Sequence, residues 1–165
     1  MRFRVLALPL AFLAVGAAQL NAQAFKAGTN YIGPSISLAT YGSTVAFEGN
    51  FEHAINDKWG WGLSAGYWSY GVVDFNYHVI PVAGTVAYHF TVSNEKLDPF
   101  VGGSVGVFIF SCSGAHGDCG AGARSTGLLI GPFGGVRYWL KDNLALTGRV
   151  GYGIGFLTAG VDFKM

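Results

Sequence analysis

The sequence predicts an all-β chain, a closed eight-stranded antiparallel up-and-down β-barrel that crosses a membrane. Three observations predict it. Beyond the first two dozen residues, apolar side chains recur at every second position, the pattern of strands with one apolar face. Eight such runs can be marked, each of about ten residues, the length of a tilted membrane-crossing strand. The composition suits lipid better than water: of 165 residues only 12% are charged, 26 are Gly, and mean hydropathy is +0.38. In lipid every backbone polar group needs an internal partner, and for strands the solution is a closed barrel. The same composition excludes other classes. Gly without a G-X-Y period is not collagen, and 15% aromatics is not a disordered chain. A net charge of +1 without a Lys/Arg cluster gives no nucleic-acid footprint.

Residues 1–24 read as a cleaved signal peptide. Arg2 and Arg4 precede an apolar core, Val5–Ala18, and Ala22-Gln23-Ala24 is the small-x-small pattern a signal peptidase reads. The apolar stretch is short for a membrane span of roughly 20 residues. The barrel domain is then 25–165. It keeps 8 Lys+Arg and 9 Asp+Glu, so removing the signal does not make the remainder more polar.

The first run is about Tyr31–Ala39, with Ile32, Ile36 and Leu38 opposite Ser35 and Ser37. In the second, Thr44–Ala54, Val45, Phe47 and Phe51 alternate with Glu48, Asn50 and Glu52. The third, Trp59–Ser69, places Trp59, Trp61, Leu63, Ala65 and Tyr67 on one face. The fourth, Val79–Phe90, sets Ile80, Val82, Val86, Tyr88 and Phe90 against Thr85 and His89. The fifth, Phe100–Phe110, is apolar on both faces, and Val101, Val105, Val107 and Ile109 are assigned outward. The sixth, Leu128–Leu140, opposes Pro132, Val136, Tyr138 and Leu140 to Phe133, Arg137 and Trp139. The seventh, Leu144–Gly153, opposes Leu144, Leu146, Val150 and Tyr152 to Thr147 and Arg149. The eighth, Gly155–Met165, opposes Leu157, Ala159, Val161, Phe163 and Met165 to Thr158, Asp162 and Lys164.

Between the runs, Ile55–Lys58, Ser93–Asp98 and Lys141–Asn143 are short and charged, with the Asn and Asp of tight turns. Tyr70–His78 and Ser111–Thr126 read as longer, irregular connections. Many Gly residues fall inside runs, where a tightly curved barrel needs room and bending. Pro34, Pro81 and Pro132 also fall inside runs; each lacks a ladder donor, so a strand end or bulge is expected there. Aromatics gather near run ends with outward parity. Trp59, Trp61, Tyr67, Tyr88, Tyr138 and Phe163 are the expected girdle at the membrane interfaces, with Tyr31 grouped among them.

Several stretches carry a family likeness: Ile80-Pro81-Val82 with Tyr88-His89-Phe90, Leu97–Gly102, Gly131–Tyr138, and above all the tail Gly153–Met165. In these the chain resembles the small eight-stranded outer-membrane β-barrels of the OmpA-transmembrane-domain and OmpX type, over about residues 25–165. The resemblance implies a bacterial outer-membrane location, a monomer in contact with outer-membrane lipid, both termini in the periplasm, and loops 70–78 and 111–126 outside. It also implies recognition by the barrel-assembly machinery through the C-terminal strand. Members usually end in an aromatic residue, whereas this chain ends in Met165, with Phe163 two residues earlier.

Inward parity collects Glu48, Glu52, His89, Arg137, Arg149, Asp162 and Lys164. Charges enclosed in a narrow lumen must pair. Glu48, Arg137, Arg149 and Asp162 are the expected ion-pair network, with Glu48 between the two arginines at its centre. An eight-stranded lumen is just filled by side chains, which favours a plug over an ion path. Cys112 and Cys119 share loop 111–126; in an oxidising compartment they are expected as a disulfide rather than metal ligands beside His116 and Asp118. No catalytic triad can be assembled from the four histidines, and no cofactor motif is present. The expected role is therefore non-enzymatic: envelope integrity, or surface contact with an extracellular ligand through loop 111–126. A narrow ion or small-solute channel is the alternative, a lipid-modifying enzyme of the PagL or PagP kind a further one, and a soluble lipocalin-like barrel the reading outside membranes.

Overall fold

The computed structural model describes residues 25–39, 44–114, 117–118 and 124–165. The expected signal peptide 1–24 and Cys119 lie outside the described residues. Eight long strands form the fold: β1 (Asn30–Ala39), β2 (Val45–Ala54), β3 (Trp59–Val72), β4 (Phe75–His89), β5 (Leu97–Gly114), β7 (Arg124–Lys141), β8 (Leu144–Gly151) and β9 (Gly155–Lys164). A two-residue strand, β6 (Gly117–Asp118), pairs with the end of β5. Each long strand is antiparallel to the next, and β1 also pairs with β9, so the eight long strands close into a barrel. Followed once around, the registers return to β1 displaced by about ten residues, a stagger that tilts the strands by roughly 40°.

Alternation places every marked apolar face outward. Ile36, Leu63, Val105, Ile130 and Val150 are each about half exposed, the condition of side chains that meet acyl chains instead of a protein core. Trp59, Trp61, Tyr67, Tyr138 and Phe163 point outward and are exposed, and Tyr88 shares their direction, edge-on to Trp59. Tyr31 does not join them: it is inward and 1% exposed, because Tyr31 and Ile32 necessarily face opposite ways.

The turns at the end shared with the termini are short and capped by their own side chains. Asn56 Oδ1 accepts from the backbone N–H of Lys58 and of Trp59 at 2.9 Å each, and Asn94 Oδ1 from Lys96 at 3.0 Å.

Three expectations change. The connection expected at Tyr70–His78 is mostly strand: β3 runs through Val72, β4 starts at Phe75, and only Val73–Asp74 turns. The β-branched and aromatic residues here pair as a hairpin, and Tyr70 stacks on Tyr77 with ring centroids 5.2 Å apart. The second expected loop is likewise shortened, since β5 extends to Gly114 and β7 begins at Arg124.

The three prolines neither end a strand nor form a bulge. Each pairs normally on one side, Pro34 with Gly49, Pro81 with Phe108 and Pro132 with Gly103. On the other side the ladder lapses: β1–β9 pairing skips Gly33–Pro34, β3–β4 pairing skips Gly66–Tyr67 opposite Pro81, and β7–β8 pairing starts only at Phe133. The missing N–H is confined to one neighbour, and the strand continues. The register shifts lie elsewhere, at Leu38/Ala39 and Trp139/Lys141.

Candidate functional site: the charged lumen

Every inward-facing polar residue of a closed barrel competes for one narrow space. From the end that holds the termini, the first inward layer is apolar. Phe25, Tyr31, Ala54, Trp139 and Ala145 form a buried cluster. Phe25 precedes β1 and turns into the barrel mouth, where its ring lies flat on His89 with centroids 3.6 Å apart and planes 3° from parallel. The adjacent position on β3 is Gly60, where an added Cβ would lie 3.0 Å from Phe25 Cζ and 2.6 Å from Glu52 Oε1. The lid therefore depends on a glycine in the wall.

Beneath it lies a ring of charge. Arg137 on β7 donates from Nε to Asp162 Oδ2 at 2.6 Å, from Nη1 to Asp98 Oδ2 at 2.9 Å and from Nη2 to Glu52 Oε2 at 2.9 Å. His89 meets the other oxygens of two of these carboxylates, Glu52 Oε1 at 2.9 Å and Asp98 Oδ1 at 2.7 Å. Asp162 also accepts from Thr147 Oγ1. The guanidinium sits 4.7 Å from the Tyr31 ring centroid and 5.7 Å from that of Phe100. Carboxylates from β2, β5 and β9 thus converge on one cation from β7 and use its planar fork. Such a cluster withstands burial because its charges are matched by direct, short bonds.

Deeper in the barrel, Arg149 Nη2 donates to Glu48 Oε2 at 2.9 Å, and the Arg149 guanidinium lies 5.4 Å from the Phe133 ring centroid. Between the two charged groups is a cavity of about 60 Å³, whose lining includes the polar Asn50, Thr85, Thr147 and Thr158 beside Phe100 and Phe133. A second space, of about 10 Å³, lies beside Ser64, Ser104 and Ile154. Beyond it, toward the loops, the lumen is apolar again: Trp68, Val79, Phe108, Leu129 and Ile154 are all within 2% of full burial, packed with Ala39, Ala46 and Ala83.

The structure thus separates residues that the sequence places in one network. Arg137 pairs with Asp162, and Arg149 with Glu48, but Glu48 does not bridge the two arginines; Arg137 takes Glu52 and Asp98 instead. Asp98 is the residue that sequence reading misses, because Ser93–Asp98 reads as a turn. The signal was parity: Asp98 stands two positions before the inward Phe100. Phe25 left no such trace, since it lies outside any strand. Trp68 sits inside the third run at an inward position among small residues, and it fills the lumen there. Lys164 lies at the termini end, its Nζ 5.9 Å from the Trp139 ring centroid. Cys112 is buried at the inward face of β5. No group of three or more His, Cys, Asp or Glu side chains that could hold a metal ion occurs among the described residues.

No family model and no curated protein matches the sequence. Solved structures do match in three dimensions. The N-terminal β-barrel domain of Pseudomonas aeruginosa OprF superposes with a TM-score of 0.61 at 16% identity, over 84% of this chain and 98% of that one. OprG of Pseudomonas aeruginosa does so at 0.59 and 13% identity, over 88% and 99%. Neisserial surface protein A gives 0.58 at 18% identity, over 83% and 95%.

The fold is that of a small outer-membrane β-barrel. The barrel's exposed apolar belt and its closed sheet agree with that fold, since each is what a transmembrane β-barrel requires. At these identities the likeness is one of architecture, and the lumen contacts described above belong to this chain.

Proposed function

We propose that this protein is a non-conducting, non-enzymatic barrel of the bacterial outer membrane, with a role in envelope integrity or surface contact. One observation carries the reading: the lumen is closed by an apolar layer at each end, with charge-paired groups between. Ions would have to cross both layers and displace arginines from their carboxylates, and the cavity between the two charged groups is about 60 Å³. In this reading residues 1–24 are a cleaved signal, and the turns beside the termini face the periplasm. Cys112 and Cys119 are bridged, and the C-terminal strand presents Phe163 to the assembly machinery. The exposed rim of the β3–β4 hairpin, with Val72, Val73 and Phe75, supports an outward contact surface at the loop end.

Planar-bilayer recording of the purified full chain tests the closed lumen. Current at the background of protein-free bilayers is expected. Regular unitary steps that disappear when Arg149 is changed would replace this reading with that of a narrow channel.

A further inference from the structure

The outer wall is not uniform. Strands β3, β4, β5 and β7 carry an open, almost wholly apolar groove of about 670 Å³ on their lipid-facing side. Its floor is Gly84 and Gly103, where an added Cβ would find its nearest neighbour 3.9 Å away. The register explains the shape. Gly84 is flanked by Leu63 and Val105, and Gly103 by Val86 and Pro132. Each glycine thus lies between larger side chains, and the two stand diagonally on neighbouring strands.

The same strands carry a polar row nearer the loops. His78 on β4 faces Ser111 on β5, which faces Arg124 on β7. Alternation gives all three the outward direction of Ile80, Ile109 and Leu128. Tyr67 Oη lies 2.9 Å from His78 Nδ1 and holds the ring, leaving Nε2 without a protein partner among the described residues. Arg124 is exposed, with no ion-pair partner among the described residues. Gly84 lies six positions along β4 from His78. At about 3.3 Å per residue and roughly 40° of tilt this is about 15 Å along the membrane normal, half of a hydrocarbon core of ~30 Å. The groove therefore lies one leaflet's depth below the polar row.

We propose that this face holds one phosphate-bearing lipid of the leaflet at the loop end, its phosphate against Arg124 and His78 and an acyl chain laid in the Gly84–Gly103 groove. The groove is continuous with the lipid-facing belt, so its occupant comes from the bilayer, and its almost wholly apolar surface suits a hydrocarbon chain. Guanidinium and imidazole donors suit a phosphate headgroup. This site rests on the membrane-spanning fold and is independent of whether the lumen conducts.

Native mass spectrometry of the full chain released from detergent, with added phosphatidylglycerol, tests it. Wild-type protein should retain one phosphatidylglycerol through activation that strips the rest. The paired change His78→Asn and Arg124→Ser, and separately Gly103→Leu, should each lower that retention roughly tenfold. Inorganic phosphate should not displace the lipid. Heat-modifiable migration on gels confirms that each variant is folded, and Gly103→Ala, with a smaller loss expected, serves if the Leu variant is not. Equal retention in wild type and all variants would overturn the proposal. So would displacement by inorganic phosphate, which would mean a headgroup site without a chain, or a dimer abolished by Gly103→Leu, which would mean that a second copy fills the groove.

Discussion

Arg137 and His89 are joined twice, once through Glu52 and once through Asp98, so four side chains close a ring across the lumen. Each carboxylate spends one oxygen on the guanidinium and the other on the imidazole. Asp162 completes the arginine from the opposite wall. The ring ties β2, β4, β7 and β9 to the start of β5, so it braces the end of the barrel at which β1 starts and β9 ends.

Arg137→Met should cost about 3–5 kcal/mol, because it strips the guanidinium from Glu52 and from the buried Asp98 and Asp162, the last of which has no other cation. Arg137→Lys should recover only part of this, since a single ammonium cannot reproduce the planar fork that reaches all three. Urea unfolding in lipid vesicles measures both. A Met variant within 1 kcal/mol of wild type, on the same scale, would mean that the ring adds nothing to stability.

Glu48 and Arg149 form their own pair, so their effects should be coupled, and Glu48 should be uncoupled from Arg137. In a double-mutant cycle Glu48→Gln and Arg149→Met should show an interaction energy of about 0.5–3 kcal/mol. The cycle of Glu48→Gln with Arg137→Met should be additive to within about 0.5 kcal/mol. Strong coupling in the second cycle would restore the bridging role that the sequence suggested for Glu48.

Phe25→Ala removes the ring stacked on His89 and should destabilise by about 3 kcal/mol, the scale of a buried Phe truncation. It should leave bilayer conductance at background, because the Trp68–Phe108–Leu129–Ile154 layer still closes the loop end. Unitary current from this single variant would show that the loop-end layer does not seal.

Glycines of the wall should divide by direction. A Cβ on Gly106 would fall 2.0 Å from the Val82 carbonyl oxygen, so Gly106→Val should prevent folding. Gly148 faces outward with nothing within 4 Å of an added Cβ, and Gly148→Val should fold as wild type. The folded fraction on unheated gels reads both.

A charge on the belt should cost in proportion to depth. Val105→Arg, in the middle of β5 and outward, should destabilise by about 2–4 kcal/mol. Val73→Arg, at the exposed tip of the β3–β4 hairpin, should be neutral within about 0.5 kcal/mol. Equal, small costs at both positions would mean that the apolar belt does not face lipid.

What was legible in the sequence was direction. Ile36 beside Ser37, Val136 beside Arg137 and Val161 beside Asp162 announce which side meets lipid, because neighbouring strand residues must face opposite ways. Strand ends were less legible. Tyr70, Val72, Phe75 and Tyr77 were concealed by Gly71 and by Asp74, and Asp98 by the turn residues before it.

By itself the sequence determined the fold class, the number of long strands and the inward face of Glu48, Glu52, His89, Arg137, Arg149 and Asp162. All three follow from local alternation and from the requirement that backbone groups in lipid be paired. The tertiary structure alone decided the partners. Glu48 and Glu52 share a face of β2, yet one meets Arg149 and the other Arg137. Which carboxylate reaches which cation depends on the stagger and tilt of the closed sheet, which set the height of each inward residue along the barrel. The same closure seats Phe25 on His89, a contact between a residue before the first strand and one at the end of the fourth, which no local pattern encodes.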